Sequence, residues 1–196
     1  ERNVLAHREP GYAVVTLSLK KTGVPPGDAT AEQMDGVAEL AERFSAGEIR
    51  VSHEQNLVLP HVARRDLPAL WEGARALGMA TPNIGLLTDL VCCPGGDFCS
   101  LANARSVPVA AAIQQRFDDL DYLFDLGPLE LNMSGCVNAC GHHHIGHIGI
   151  LGVDKNNEEW YQVTLGGREG SQAALGRVIG PSFAAGQIPD VIADLL

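Results

Sequence analysis

Apolar residues cluster in short β-branched runs at the start of the chain and then switch to a helical repeat. Tyr12-Ala-Val-Val-Thr-Leu-Ser-Leu19 reads as a strand and Val24-Pro-Pro-Gly-Asp28 as a turn. Thr30 with Gln33 fits a capping box, and Met34, Val37, Leu40, Ala41 and Phe44 recur on one face until Gly47, which predicts a helix. Ile49-Arg-Val-Ser52 and Leu57-Val-Leu59 read as two strands flanking the polar His53-Glu-Gln-Asn56. A second helix is expected from Asp66 to Gly78, burying Leu67, Leu70, Trp71, Ala74 and Leu77. Strand, helix, strand, strand, helix is a ferredoxin-like α+β half-unit. A boundary falls at Thr81-Pro-Asn83, where proline and a polar residue interrupt the pattern.

Beyond the boundary, Leu86-Leu87 and Leu90-Val91 suggest a strand that delivers Cys93, and Pro94-Gly95-Gly96 turns the backbone. A helical run is expected from Cys99 through Ala104, broken near Pro108 and resumed to Phe117. Leu129-Glu-Leu-Asn-Met133 looks like the next strand, feeding Gly135-Cys136. Ile145 to Gly152 alternates as a buried strand does, and Trp160-Tyr-Gln-Val-Thr-Leu165 pairs with it across the Asp154–Glu159 turn. The last stretch, from Ile188 to Leu196, opens like a helix with Pro189 in its first turn and still has helical spacing where the sequence stops. With Glu rather than Met at residue 1, the chain reads as a fragment of a longer polypeptide.

The chemistry lies in the cysteines. Cys93-Pro-Gly-Gly-Asp-Phe-Cys99 and Cys136-Val-Asn-Ala-Cys140 form two unequal pairs. Thiolates are soft ligands that favour iron–sulfur clusters, zinc or copper. A five-residue gap in the first pair is loose for zinc knuckles, whose pairs are spaced by two to four residues. A disulfide framework suits a small, core-poor domain in an oxidising compartment, whereas 196 residues that are 45% apolar can bury a core without such links. Cys92 is a fifth, odd cysteine, most simply a small buried hydrophobe. On spacing alone a cluster, a zinc-stabilised interaction domain and a free-standing iron–sulfur electron-transfer module all stay open.

Charge narrows the partners. A net charge of −10, with only 14 scattered Lys and Arg, argues against nucleic-acid binding and fits poorly with an anionic substrate unless other parts supply the cations. No run approaches the roughly eighteen apolar residues of a membrane span and no charged-then-apolar leader opens the chain, so a soluble cytoplasmic protein is expected.

Cys-Pro-Gly-x3-Cys followed by Ser-Gly-Cys-x-Asn-x-Cys-Gly, with Ile-Arg-Val-Ser-His-Glu-Gln-Asn upstream, resembles the C-terminal half of the sirohaem-containing sulfite and nitrite reductases. Gly11-Tyr12, Leu101-Ala-Asn-Ala-Arg105 and the stretch from His143 through Gly149 extend the resemblance over nearly the whole chain. It implies a ferredoxin-like half-domain over residues 1–80, and over 81–196 an α/β domain with a mixed sheet that binds sirohaem and a 4Fe-4S cluster. It also implies six-electron reduction of sulfite to sulfide or of nitrite to ammonia. Cys93, Cys99, Cys136 and Cys140 would hold the cluster, and Cys140 would also bridge to the sirohaem iron. Arg50, Gln55, Asn56 and Asn138 match segments near the sirohaem in that family. The implied partners are the N-terminal half of the same polypeptide, which would carry most of the substrate-binding Arg and Lys, and an electron donor, either ferredoxin or a flavoprotein with NADPH. His142, His143, His144 and His147 are expected to hydrogen-bond or pack beside the cluster rather than to ligate metal.

Overall fold

The computed structural model describes residues 2–196 and divides into two compact units. The first runs up to Lys21 and resumes over Gly27–Ile84; the second comprises Thr22–Pro26 and Gly85–Leu196.

In the first unit, β1 (Val4–Ala6), β2 (Tyr12–Leu17), β3 (Arg50–Val51) and β4 (Leu57–Ala63) form an antiparallel sheet in the order β1-β2-β4-β3. Thr30 and Gln33 close the expected capping box on α1 (Ala31–Phe44), satisfying two amide donors that a helix start leaves orphaned. A single 3₁₀ turn, Arg64–Asp66, leads into α2 (Leu67–Ala76), with Pro68 in the first turn, where its missing N–H costs nothing. Leu17, Leu59, Val62, Val37, Leu40, Leu70, Ala74 and Met79 fill the core between helices and sheet. Two expectations fail here. Met34 and Trp71, assigned to buried faces by periodicity, are exposed, Trp71 by 54%, and the Arg75 guanidinium lies 5.1 Å from the Trp71 ring centroid.

The second unit is built on a mixed sheet ordered β5 (Val91–Cys92), β6 (Leu131–Ser134), β7 (Ile148–Lys155), β8 (Glu158–Leu165), β9 (Arg177–Ala184). β5, β6 and β7 are parallel neighbours, whereas β7, β8 and β9 are antiparallel. Asn156 and Asn157, both with positive φ, join β7 to β8 in a tight hairpin, a conformation that asparagine tolerates well. Helices α3 (Val107–Arg116), α4 (Leu120–Leu126) and α5 (Ile188–Leu195) complete the unit. Its core joins Leu87, Leu90, Ile113, Met133, Ile150, Val163 and Ile192.

Several local expectations are corrected. Residues 99–104 form turns and bends rather than a helix, and Pro108 opens α3 rather than breaking a longer one. Leu86, Leu87 and Leu90 are buried as anticipated, but the strand is confined to Val91–Cys92. Cys92 is the small buried hydrophobe expected, 4% exposed and part of the core. Among the described residues no helix is long and apolar enough to cross a membrane.

Candidate metal centre

Both cysteine loops leave the same end of the sheet, because β5 and β6 are parallel and each feeds one loop from its carboxyl end. Cys92 is level with Met133, so Cys93 emerges beside Ser134, two residues before Cys136. Open parallel sheets place their ligand sites at this end. The loops are stitched together: Gly135 donates its amide to Sγ of Cys93 at 3.0 Å, and the Gly135 carbonyl accepts from Asn103 at 2.9 Å and Ala104 at 3.1 Å. Gly95, inside the first loop, bridges antiparallel to Arg105 and so draws the chain after Cys99 back over the loop.

Two glycines make the close packing possible. A Cβ on Gly135 would meet the Ala104 carbonyl oxygen at 2.7 Å and Cα of Gly95 at 2.8 Å, so any side chain there would push the loops apart. A Cβ on Gly141, immediately after Cys140, would collide with the backbone carbonyl of Met133. The Gly141 amide instead donates to Oγ of Ser134 at 3.1 Å, folding the second loop back on β6.

The donor set is four free thiols. Cys93 and Cys136 are buried, Cys99 is intermediate and Cys140 is exposed. Among the described residues no three or more His, Cys, Asp or Glu side chains converge as a ready-made site for a metal ion. The set fits an iron–sulfur group in its chemistry: all ligands are soft, two are shielded from water, and one already receives the kind of backbone N–H bond that tunes cluster potentials. Around the thiols, Phe98, Leu101 and Val137 point large apolar side chains outward, 79%, 71% and 72% exposed.

The histidines divide by burial. His142 and His144 are exposed, whereas His143 is 2% exposed, its ring 3.9 Å from that of His144 and its buried Nδ1 without a hydrogen-bond partner. Desolvation, and secondarily the nearby His144, push its pKa down to about 4. Nδ1 of His147 accepts the Glu130 amide at 3.0 Å.

Asn138 lies exposed within the second loop. Arg50, Gln55 and Asn56 belong to the first unit, in and after β3. Arg50 donates to Glu48 at 2.6 Å, and the Glu48 carboxylate is held below its usual range mainly by that bond. Gln55 takes a positive φ in the turn, and buried Asn56 accepts the Leu19 amide at 3.0 Å. The cysteine loops and Asn138 thus lie in the second unit, whereas Arg50, in β3, and Gln55 and Asn56, after it, lie in the first.

The nitrite/sulfite reductase ferredoxin-like half domain matches residues 18–77. The chain is 32% identical over 178 residues to a ferredoxin–nitrite reductase of Synechococcus elongatus, covering 88% of this chain and 34% of the relative. It is 30% identical over 170 residues to sulfite reductase [ferredoxin] 2 of Mycolicibacterium paratuberculosis, covering 81% of this chain and 30% of the relative. The solved Mycobacterium tuberculosis NirA protein superposes with a TM-score of 0.77 at 26% identity, over 98% of this chain and 36% of that one. The chain belongs to the nitrite and sulfite reductase family. It spans about a third of the length of the curated relatives it matches. Dissimilatory sulfite reductase I shares the fold, with a TM-score of 0.72 at 12% identity.

Sequence reading missed two residues that touch the first loop or the segment bridged to it, Ser106 and Tyr161. Ser106 Oγ lies 3.6 Å from Cys93 Sγ, and the Tyr161 hydroxyl is bound to the backbone of Arg105. No spacing signal marks either one, since both reach the first loop from elements distant from Cys93 in sequence.

Proposed function

We propose that this chain supplies the cluster half of a six-electron reductase of sulfite or nitrite, with residues 1–80 as the ferredoxin-like half-domain and 81–196 as the 4Fe-4S and sirohaem domain. Cys93, Cys99, Cys136 and Cys140 would hold the cluster, and Cys140, the exposed one, is the thiol that would also serve the sirohaem. The observation that carries the reading is the stitching of the two cysteine loops at the carboxyl end of β5 and β6, through the Gly135 amide and the Cys93 sulfur. When bound, the cluster and sirohaem would supply the one-electron redox chemistry that a six-electron reduction needs.

The chain's own residues do the rest. Burial of Cys93 and Cys136 keeps water from the deeper part of the site, while exposure of Cys140 leaves its sulfur free to face a second group. By the family resemblance, Asn138 in the second loop and Arg50, Gln55 and Asn56 in the first unit are the candidate residues that would bind sirohaem. Arg105 is paired with Glu159 at 3.3 Å. In this reading most of the cations that bind substrate come from the N-terminal half of the polypeptide, in agreement with a net charge of −10. The relatives' names favour ferredoxin as donor over a flavoprotein.

Anaerobic purification of the full-length polypeptide, since this chain alone is expected to be inactive, followed by iron and acid-labile sulfide analysis, visible spectroscopy and reduction assays with both oxyanions tests the proposal. Coupled haem and cluster bands with turnover of either oxyanion are expected. Iron-free, colourless protein from such a preparation overturns it.

A further inference from the structure

We infer that Ser106 tunes the reduction potential of the cluster by donating a hydrogen bond from its hydroxyl to the sulfur of Cys93. The inference rests on Cys93 being a cluster ligand, as proposed above. Oγ of Ser106 stands 3.6 Å from Sγ of Cys93, and the same sulfur takes the Gly135 amide at 3.0 Å. In the metal-free chain either the thiol or the hydroxyl can donate. A metal-bound thiolate carries no proton, so the hydroxyl becomes the donor.

The orientation of Ser106 is not that of an ordinary helix cap. It occupies the N-cap position of α3, where serine normally accepts an amide from the first turn, yet its side chain makes no capping bond. Its hydroxyl is instead turned to the sulfur, and the residue is 0% exposed, so no bulk water competes for the bond. The first loop is pressed against it: a Cβ on Gly95 would collide with both Oγ and the amide nitrogen of Ser106. The fold thus forgoes a cap, usually worth about 1 kcal/mol, and keeps a donor on Cys93.

Donors to cluster sulfurs stabilise the more negative, reduced state and so raise the potential. Redox titration of the purified holoprotein, followed by electron paramagnetic resonance, is the test. At a fixed potential near the midpoint, Ser106→Ala is expected to lower the reduced-to-oxidised ratio about tenfold, equivalent to about 59 mV for one electron. Ser106→Thr, which keeps the hydroxyl, restores the wild-type midpoint. Electron–nuclear double resonance after transfer to D2O adds a signature that a packing role would not move: one exchangeable coupling is lost in Ser106→Ala and kept in Ser106→Thr. If Ser106→Ala fails to retain a cluster, Ser106→Cys takes its place, with a weaker donor and a smaller shift in the same direction. An unchanged midpoint in the loaded variant overturns the inference while leaving the cluster assignment standing. A wild-type holoprotein without iron and sulfide overturns both.

Discussion

The hydroxyl of Tyr161 donates a 2.7 Å hydrogen bond to the carbonyl oxygen of Arg105. Tyr161 is wholly buried in β8, and desolvation is the main reason its phenol is pushed up and stays protonated. Arg105 is bridged to Gly95, so the bond ties the antiparallel half of the sheet to the first cysteine loop. Tyr161→Phe leaves a shielded carbonyl without its partner and is expected to cost about 1–2 kcal/mol. Denaturant unfolding followed by Trp160 fluorescence, in a Trp71→Phe background, measures it; an unchanged midpoint would show that the bond contributes nothing to the unit's stability.

Gly141 and Gly166 separate crowding from backbone strain. Gly166 has a φ of +83° and open space around it, so alanine there suffers only the left-handed penalty, about 1 kcal/mol. Gly141, which has no positive φ, carries no such penalty, but Gly141→Ala drives a methyl into the Met133 carbonyl of β6, and its melting temperature is expected to fall well below that of Gly166→Ala. Equal melting temperatures would mean that the second loop gives way freely.

His143 should leave a mark on the pH dependence of stability. Its pKa falls from the ordinary 6.5 to about 4 on folding, so the unfolded chain takes up a proton first as the pH drops. Its contribution is fully present above about pH 6.5 and is lost between there and pH 4. Glu48, also held low, acts in the same direction but nearer the carboxylate range. Calorimetric melting temperatures of wild type and His143→Gln, compared between pH 6.5 and 5, should converge as the pH falls. Parallel curves would remove His143 as the cause.

Cys92 and Cys93 are adjacent yet should behave oppositely. Serine at Cys93, Cys99, Cys136 or Cys140 is expected to reduce cluster iron severalfold, and Cys140→Ser to abolish oxyanion reduction as well. Cys92→Ala, a change in the core, should leave iron per chain at the wild-type level. Iron analysis with visible spectroscopy decides between them, and iron loss in Cys92→Ala alone would reassign the first pair.

The first unit was legible because its signals are local: a capping box at Thr30, helical repeats, and β-branched runs. Where it misled, at Met34 and Trp71, the residues lie at the margin of a helical face, and the periodicity does not say how far the sheet extends beneath them. In the second unit, β9 escaped notice because it is largely exposed, contains Gly180 and Pro181, and is a strand by virtue of pairing with β8. Helix α4 is only seven residues long and too short for a periodic signal, although Asp119, which caps it, is a typical start. The cysteine spacing pointed to the thiols directly. Gly135 stood inside the second cysteine motif, but its bond to the first loop could not be read from it, and Ser106 and Tyr161 meet that loop through space, from outside either motif.

β5 is two residues long, lies at the sheet edge, and pairs with β6 at Val91 with Asn132 and Cys92 with Met133. The β7–β8 hairpin forms from near neighbours, but β5 reaches β6 only after the long crossover carrying α3 and α4 has closed, which is the slower kind of pairing. The two cysteine loops are therefore expected to come together late in folding, and the Cys93 amide, bonded to Met133, should exchange with solvent faster than that of Ile150 in mid-hairpin. If the thiols hold the cluster proposed above, oxidation of the scattered sulfurs would compete with metal delivery until that closure, and a slower pairing of one short edge strand is expected to lower the yield of loaded protein.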